Sequence, residues 1–109
     1  MGSVSSARKT IMPSAQEFVD LMIASDDVVI FSKTYCPYCK MAKEAFDKLK
    51  KTYTTIELDQ RDDGDQIQDV LGAMTGARSV PRVFVKRECL GGGTDVQKLA
   101  ETGELAKKF

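Results

Sequence analysis

VVIFSKTYCPYCKMAKEAFDKLK, residues 28–50, is predicted to form a buried strand, a short polar turn and a long amphipathic helix. The strand is indicated by four consecutive apolar residues, Val28–Phe31, three of which are β-branched. From Pro37 onward, apolar residues recur at spacings of three and four, which is typical of one helix face. Pro37 suits the first helical turn, because the N–H that proline lacks would have no partner there. Cys36 and Cys39 therefore lie where the turn becomes the helix.

The position of Cys36 predicts a reactive thiol. As the N-cap residue it would place its sulfur beside the free amide hydrogens of the first turn, where the helix dipole presents partial positive charge. Lys33 lies three residues upstream and adds a full positive charge, so two effects favour the thiolate. Cys39 gains less from either effect, and its spacing from Cys36 keeps a disulfide within reach. We therefore expect Cys36 to attack and leave, and Cys39 to act as the resolving thiol.

Composition excludes several classes of function. Lysine plus arginine (16) balance aspartate plus glutamate (16), so we expect neither nucleic acid nor an acidic membrane as a partner. No apolar run approaches the roughly 18–20 residues of a membrane span. Structural zinc needs four ligands, whereas the chain has three cysteines and no histidine, so we predict no metal site. A single C-x-x-C pair instead indicates redox use in a reducing compartment.

The first residues are predicted to differ from the rest of the chain. Residues 1–12 are rich in serine, lack acidic side chains and show no periodicity, so we expect a disordered leader. Gly2 with Ser6 formally fits a myristoylation pattern, and the basic, Ser-containing composition faintly resembles a transit peptide. We favour a flexible leader or a cloning remnant over both. Residues 13–109 are predicted to form a single domain.

Periodicity and turn residues predict the order helix, strand, helix, strand, helix, strand, strand, helix. Ser14 and Glu17 have the spacing of a capping box at the first helix. A strand, helix and strand in succession predict a parallel pair of strands. The later predicted elements are a strand at 53–58, a charged loop at 59–65, a helix that Gly76 stops, strands at 82–86 and 89–90, a turn at 91–93, a helix opening at Thr94-Asp95 and a helical turn at 104–109.

Three motifs together resemble the signatures of dithiol glutaredoxins. They are YCPYC at 35–39, TGARSVPRVF at 75–84 and GGGTD at 91–95, and the likeness covers about residues 18–105. The resemblance implies an α/β thioredoxin fold, with a four-stranded mixed β-sheet flanked by about five α-helices. It also implies a cis peptide bond before Pro81 that faces the cysteines, although base rates alone favour a trans proline.

The resemblance further implies glutathione as electron donor, with no flavin or nicotinamide bound directly. Lys33, Gln68 and Arg78 match the positions that hold its glycine carboxylate. From the residues alone, these are equally a solvated lysine, a polar helix face and a loop arginine. Val80 matches the residue whose backbone pairs with the cysteinyl part, next to Pro81.

Thr94 and Asp95 match the positions that hold the γ-glutamyl end of glutathione, where a helix N-terminus presents amides to its carboxylate. A simple helix cap would need the same residue types. We favour the dual role, because the three preceding glycines would allow a ligand to approach closely. Tyr38 is expected to line the groove, and Cys89 to be structural or an oxidation liability. The sequence Arg87-Glu88 replaces a tight glycine-containing turn, which leaves the geometry of that hairpin open.

The sequence thus predicts a glutathione-disulfide oxidoreductase that reduces glutathione mixed disulfides and protein disulfides. We expect a cytoplasmic monomer, or an organellar one if the leader is a targeting segment. Its partners would be glutathione, glutathionylated or disulfide-bonded proteins and, indirectly, glutathione reductase. Three alternatives remain: a flavoprotein-fed thioredoxin-like reductant, an iron–sulfur scaffold shared by two copies through Cys36 and glutathione, and the leading domain of a longer reductase. Pro37 counts against the second.

Overall fold

The computed structural model describes residues 14–109. The leader predicted at residues 1–12 lies outside the described residues. The described part has four α-helices and four strands in the predicted order. They are α1 (Ala15–Ser25), β1 (Val28–Ser32), α2 (Pro37–Lys48), β2 (Thr54–Glu57), α3 (Gly64–Thr75), β3 (Arg82–Val85), β4 (Glu88–Gly91) and α4 (Gly93–Glu101), with 3₁₀ turns at Leu58–Gln60 and Ala106–Lys108.

The four strands form one mixed sheet in the order β2-β1-β3-β4. Strand β1 pairs with β2 in parallel, as the intervening helix α2 predicts, and with β3 in antiparallel orientation. Strand β4 completes the sheet through an antiparallel pair with β3. The predicted α/β architecture with a four-stranded mixed sheet is therefore confirmed. The predicted C-terminal helical turn is the short 3₁₀ segment, so the described residues contain four α-helices where about five were expected.

Strand β1 is buried on both faces, which explains its continuous apolar sequence. Val29 and Phe31 pack towards α1 and α3, whereas Val28 and Ile30 pack towards α2 and α4. Phe31 meets Phe84 of β3 edge to face, with ring centroids 5.8 Å apart. The sheet thus carries a core on each side, and the carboxyl end of β1 leads directly into the turn before Cys36.

Local signals place the helix ends. Ser14 Oγ accepts from the Glu17 amide at 3.1 Å, and Glu17 Oε1 accepts from the Ser14 amide at 2.9 Å, so the predicted capping box is present. The predicted loop at 59–65 was partly wrong. Buried Leu58 starts a 3₁₀ turn, and α3 begins already at Gly64, which packs against the Leu58 backbone. In residues 14–109, no helix combines the length and apolarity needed to cross a membrane.

The hairpin between β3 and β4 has an unusual two-residue turn. Val85 pairs with Glu88, and the residues between them, Lys86 and Arg87, have φ angles of 49° and 73°. Two-residue hairpins favour positive φ at both positions, which is why Asn-Gly is their common sequence. Here the sheet imposes this conformation on two residues with long side chains.

Replacing Arg87 by glycine should stabilise the fold. Glycine tolerates positive φ, whereas a Cβ there costs on the order of 1 kcal/mol. We expect the free energy of unfolding of Arg87→Gly, measured by urea titration, to exceed that of Arg87→Ala by about that amount. Arg87→Ala is the control, because both substitutions remove the same charge and only glycine also removes the Cβ. Equal stability of the two variants would contradict strain at this position.

Candidate active site

The turn between β1 and α2 is fixed by a contact from outside the motif. Asp59, in the 3₁₀ turn after β2, accepts from the Thr34 amide at 3.0 Å and from the Thr34 hydroxyl. These hydrogen bonds, together with the charge of nearby Lys33, lower the pKa of Asp59. The carboxylate therefore stays ionised and ties the turn that precedes Cys36 to the end of β2, the strand next to β1.

Cys36 is the N-cap residue of α2, as predicted. Its sulfur accepts a hydrogen bond from the Cys39 amide at 3.3 Å, and Pro37 occupies the start of the helix. The Cys36 amide donates to the Lys33 carbonyl at 3.1 Å, which closes the turn. The sulfur is half-buried and thus within reach of another molecule. An amide that would otherwise lack a partner points at the atom predicted to carry negative charge.

Cys39 lies in a different environment, although only three residues separate it from Cys36. Its side chain has no exposed surface. Burial raises the pKa of the Cys39 thiol to about 11, and the side-chain hydrogen bond between the Cys39 and Cys36 sulfurs acts in the same direction. Cys39 is therefore protonated at neutral pH. The two sulfurs therefore differ in accessibility, and the roles predicted for them stay predictions.

The segment before β3 brings a backbone edge to the cysteines. The Val80–Pro81 peptide bond is cis, as expected from the family motif. The carbonyl oxygen of Val80 lies 3.8 Å from the Cys36 sulfur. None of the backbone hydrogen bonds in the turns and loops of residues 14–109 uses Val80. An extended thiol peptide could therefore pair with this edge beside the sulfur.

A surface cavity of about 290 Å³ adjoins that edge. It brings together five of the residues predicted to bind glutathione, from three separate parts of the sequence. The lining residues are Tyr38, Ser79, Val80, Pro81, Arg82, Gly92, Gly93, Thr94 and Asp95. Tyr38 is more than half exposed at its rim. The cavity thus joins the cis-proline loop, the first turn of α2 and the start of α4.

The glycines at the start of α4 have a structural role besides the one predicted. A Cβ on Gly93 would lie 2.5 Å from the Tyr38 carbonyl oxygen, so Gly93 lets α4 pack directly against α2. A Cβ on Gly92 would lie 3.0 Å from Nη2 of Arg82. These glycines therefore permit close contacts within the protein, and both also line the cavity. Asp95 Oδ2 accepts from the Gly92 amide at 2.8 Å and so caps the helix.

The three residues predicted to hold the glycine carboxylate lie outside that cavity lining. Gln68 is buried, and its Nε2 donates to the Arg78 carbonyl at 3.0 Å, so its side chain supports the loop. Arg78 is half-exposed and pairs with Asp69 at 2.7 Å and with Asp65 at 3.7 Å. The hydrogen bond with Asp69 raises the pKa of Arg78. Gln68 and Arg78 are thus neighbours, as predicted, but acidic side chains already engage the guanidinium.

Sequence reasoning missed Asp59, Asp69 and Arg82. Asp59 contacts Thr34, which is 25 positions away in the sequence, and Asp69 contacts Arg78, which is nine positions away. No pattern in the sequence indicates either contact. Arg82 did leave a signal. It shares a sheet face with Phe84, two residues on, so a charge stands where strand alternation predicts a buried side chain. The structure buries it with 8% exposure.

Cys89 lies half-buried on β4, opposite Phe84, and packs against the core on the α1 and α3 side. This position agrees with a structural role. Within residues 14–109, no group of three or more cysteine, histidine or acidic side chains is arranged to hold a metal ion.

Comparisons with known proteins agree with this geometry. The family model described as Glutaredoxin matches residues 28–90. Glutaredoxin-C8 of Oryza sativa subsp. japonica is 51% identical over 96 residues, covering 86% of this chain and 71% of the relative. Mitochondrial glutaredoxin-2 of Bos taurus is 48% identical over 83 residues, which make up 76% of this chain and 53% of that protein. The chain thus spans about half the length of the bovine relative.

Solved structures show the same likeness. Oxidized glutaredoxin 2 from Chlamydomonas reinhardtii has a TM-score of 0.83 and 45% identity, covering 86% of this chain and 89% of that one. A buckwheat glutaredoxin–glutathione complex has a TM-score of 0.83 and 42% identity, with 86% of each chain covered. Together with the capped Cys36 and the cis-proline edge, these matches show that the chain belongs to the glutaredoxin family of the thioredoxin superfamily.

Proposed function

We propose that this glutaredoxin reduces glutathione mixed disulfides and protein disulfides, with Cys36 as the nucleophile and Cys39 as the resolving thiol. Membership of the family makes the chain a glutathione-dependent oxidoreductase. The finer proposal is supported chiefly by one observation, the half-buried Cys36 sulfur that accepts the Cys39 amide while lying 3.8 Å from the Val80 carbonyl. The sulfur stands between a source of positive potential and a backbone edge suited to a peptide thiol.

The first route uses Cys36 alone. Its thiolate attacks the glutathione sulfur of a mixed disulfide, forms a Cys36–glutathione disulfide and expels the substrate thiolate, which takes up a proton. A second glutathione thiolate then attacks the glutathione sulfur of this intermediate. Oxidised glutathione leaves, and the Cys36 thiolate is restored. Because the helix amides stabilise that thiolate, Cys36 serves both as nucleophile and as leaving group.

The second route serves protein disulfides and needs Cys39. Attack by Cys36 joins the enzyme to one substrate sulfur and releases the other. Cys39 then loses its proton and attacks the Cys36 sulfur, which expels the second substrate thiolate and leaves a Cys36–Cys39 disulfide. Two glutathiones reduce this bond in turn.

In this proposal the cavity is the place for glutathione, the ligand of the buckwheat complex. The Val80 backbone would pair with the cysteinyl part, beside buried Pro81 and under the ring of Tyr38. The amides at the start of α4 would face the γ-glutamyl carboxylate, while Thr94 and Asp95 would bind that end of the molecule. Lys33, Gln68 and Arg78 would hold the glycine carboxylate at the other end. A cytoplasmic location and a monomeric state stay predictions from the sequence.

The two cysteines should differ in their contribution to catalysis. We expect Cys36→Ser to abolish glutathione-coupled reduction of a glutathione mixed disulfide, whereas Cys39→Ser largely keeps it, because the first route needs one thiolate. Oxidation of NADPH by added glutathione reductase measures turnover, with no other reductase present. Equal loss in both variants would overturn the assignment. Failure of the wild type to turn over with glutathione alone would overturn the proposed function.

Internal disulfide formation should accelerate as pH rises well past neutrality. Burial raises the pKa of Cys39 to about 11, so its reactive thiolate fraction grows about tenfold per pH unit up to that region. The measurement starts from enzyme glutathionylated at Cys36 and follows loss of the glutathione mass after acid quenching, between about pH 7 and 10. Cys39→Ser, in which no resolving thiol exists, is the control. A rate that levels off near pH 8 would contradict a protonated, buried Cys39.

Removing the acid beside Arg78 should strengthen glutathione binding. Asp69 occupies the guanidinium at 2.7 Å, and a glycine carboxylate would have to compete with it. We expect Asp69→Asn to lower the KM for glutathione about two- to fivefold, the modest size typical of an exposed ion pair. Asp62→Asn is the matched control, because it removes one negative charge without touching the carboxylates that pair with Arg78. An unchanged or higher KM in Asp69→Asn would show that Arg78 does not bind the carboxylate.

A further inference from the structure

Arg82 is a buried cation that neither catalytic route uses. It is the first residue of β3, directly after Pro81, and only 8% of it is exposed. Its Nε donates to the Pro81 carbonyl at 3.1 Å. This hydrogen bond holds the Nε side of the guanidinium against the cis-proline loop and does not involve either Nη atom.

No carboxylate neutralises this charge. Every aspartate and glutamate of the chain lies in residues 14–109, and none of the ion pairs found there includes Arg82. Among residues 14–109, only one side-chain polar atom, Glu57 Oε1, is both fully buried and without a hydrogen-bond partner. The Nη atoms of Arg82, which have no such partner, therefore keep some contact with solvent. A buried charge without a counter-ion is costly. An anionic ligand that reached it would remove part of that cost.

The guanidinium lies where such a ligand could enter. Arg82 lines the 290 Å³ cavity together with the start of α4. A Cβ on Gly92, the N-cap residue of α4, would lie 3.0 Å from Arg82 Nη2 and 3.9 Å from Asp95 Oδ2. The cation and the carboxylate therefore flank the same glycine, and yet they are not paired with each other within 4.0 Å.

A positive and a negative group held apart at this spacing match an α-amino acid, which carries one carboxylate and one ammonium on a single carbon. We propose that Arg82 is a specificity-determining residue that binds the α-carboxylate of the γ-glutamyl group, while Asp95 accepts from its ammonium. This inference rests on the proposed function and adds a buried side-chain cation to the helix amides at that end.

The test compares two thiols as electron donors. One is glutathione, and the other is its analogue in which the γ-glutamyl α-carboxylate is an amide. The quantity of interest is the ratio of kcat/KM for glutathione to kcat/KM for the amide. We expect this ratio to fall about tenfold in Arg82→Gln, mainly through the KM for glutathione, as loss of one buried charge-assisted contact predicts. Arg82→Lys, which keeps the charge, should retain part of the preference.

Arg87→Gln is the matched control, because Arg87 lies exposed at the β3–β4 turn. In this variant, the ratio of kcat/KM for glutathione to kcat/KM for the amide should equal that of the wild type. An equal fall of kcat/KM for both thiols in Arg82→Gln would overturn the inference, since a purely structural role does not distinguish the two donors. If Arg82→Gln does not fold, Gly92→Ala replaces it, because the added Cβ would displace the guanidinium. A fall in the ratio of the two kcat/KM values would then support the inference, and an equal fall of both values would overturn it. Wild-type turnover with glutathione separates failure of this inference from failure of the proposed function.

Discussion

The hydrogen bond from the Cys39 amide to the Cys36 sulfur is the contact on which the site depends. A helix start must satisfy its free amides, and here the atom that does so is also the one proposed to react. Chemistry at Cys36 is thus coupled to secondary structure. In the proposed mechanism the sulfur alternates between a disulfide and a thiolate, and only the thiolate would give the first turn of α2 an anionic cap. The geometry of the helix start is therefore suited to the form of Cys36 that the proposed turnover regenerates.

The same short segment creates the difference between the two thiols. Strand β1 is buried on both faces, and α2 packs back across one of them, so a residue one turn into the helix is enclosed. Cys39 consequently has no exposed surface, whereas Cys36 stays at the edge of the cavity. Burial raises the pKa of the Cys39 thiol to about 11, and this cause acts one helical turn away from the accessible Cys36. The roles proposed for the two thiols follow this difference in burial.

Sequence reasoning reached the features that local patterns encode. The apolar run of β1, Pro37 at the helix start and the Ser14–Glu17 capping box each act over a few residues, and the structure confirms all three. The cis bond before Pro81 was implied by family resemblance rather than by physics, since base rates favour trans. The parallel pairing of β1 with β2 followed from the succession of strand, helix and strand, whereas the order of the whole sheet came only from the structure.

What the sequence did not show are contacts between distant residues. The Thr34–Asp59 and Arg78–Asp69 contacts depend on how separate elements meet, and no periodicity records this. The glycines before α4 illustrate the point. Glycine signals close approach, but only the structure shows that Gly93 lies against the Tyr38 backbone of α2. Arg82 could be predicted in part. Its place on the same strand face as Phe84 predicts a buried side chain, but the sequence does not show that the charge lacks a counter-ion.

The two ends of the proposed glutathione site differ in how their cations are balanced. Arg78 is half-exposed and already paired with Asp69 and Asp65, so a carboxylate arriving there exchanges one ion pair for another in water. Such an exchange changes the free energy little. Arg82 is buried and lacks a carboxylate partner, so an anion that reaches it relieves an existing cost. We therefore infer that discrimination among thiols depends mainly on the γ-glutamyl end, while the glycine end contributes mainly to orientation.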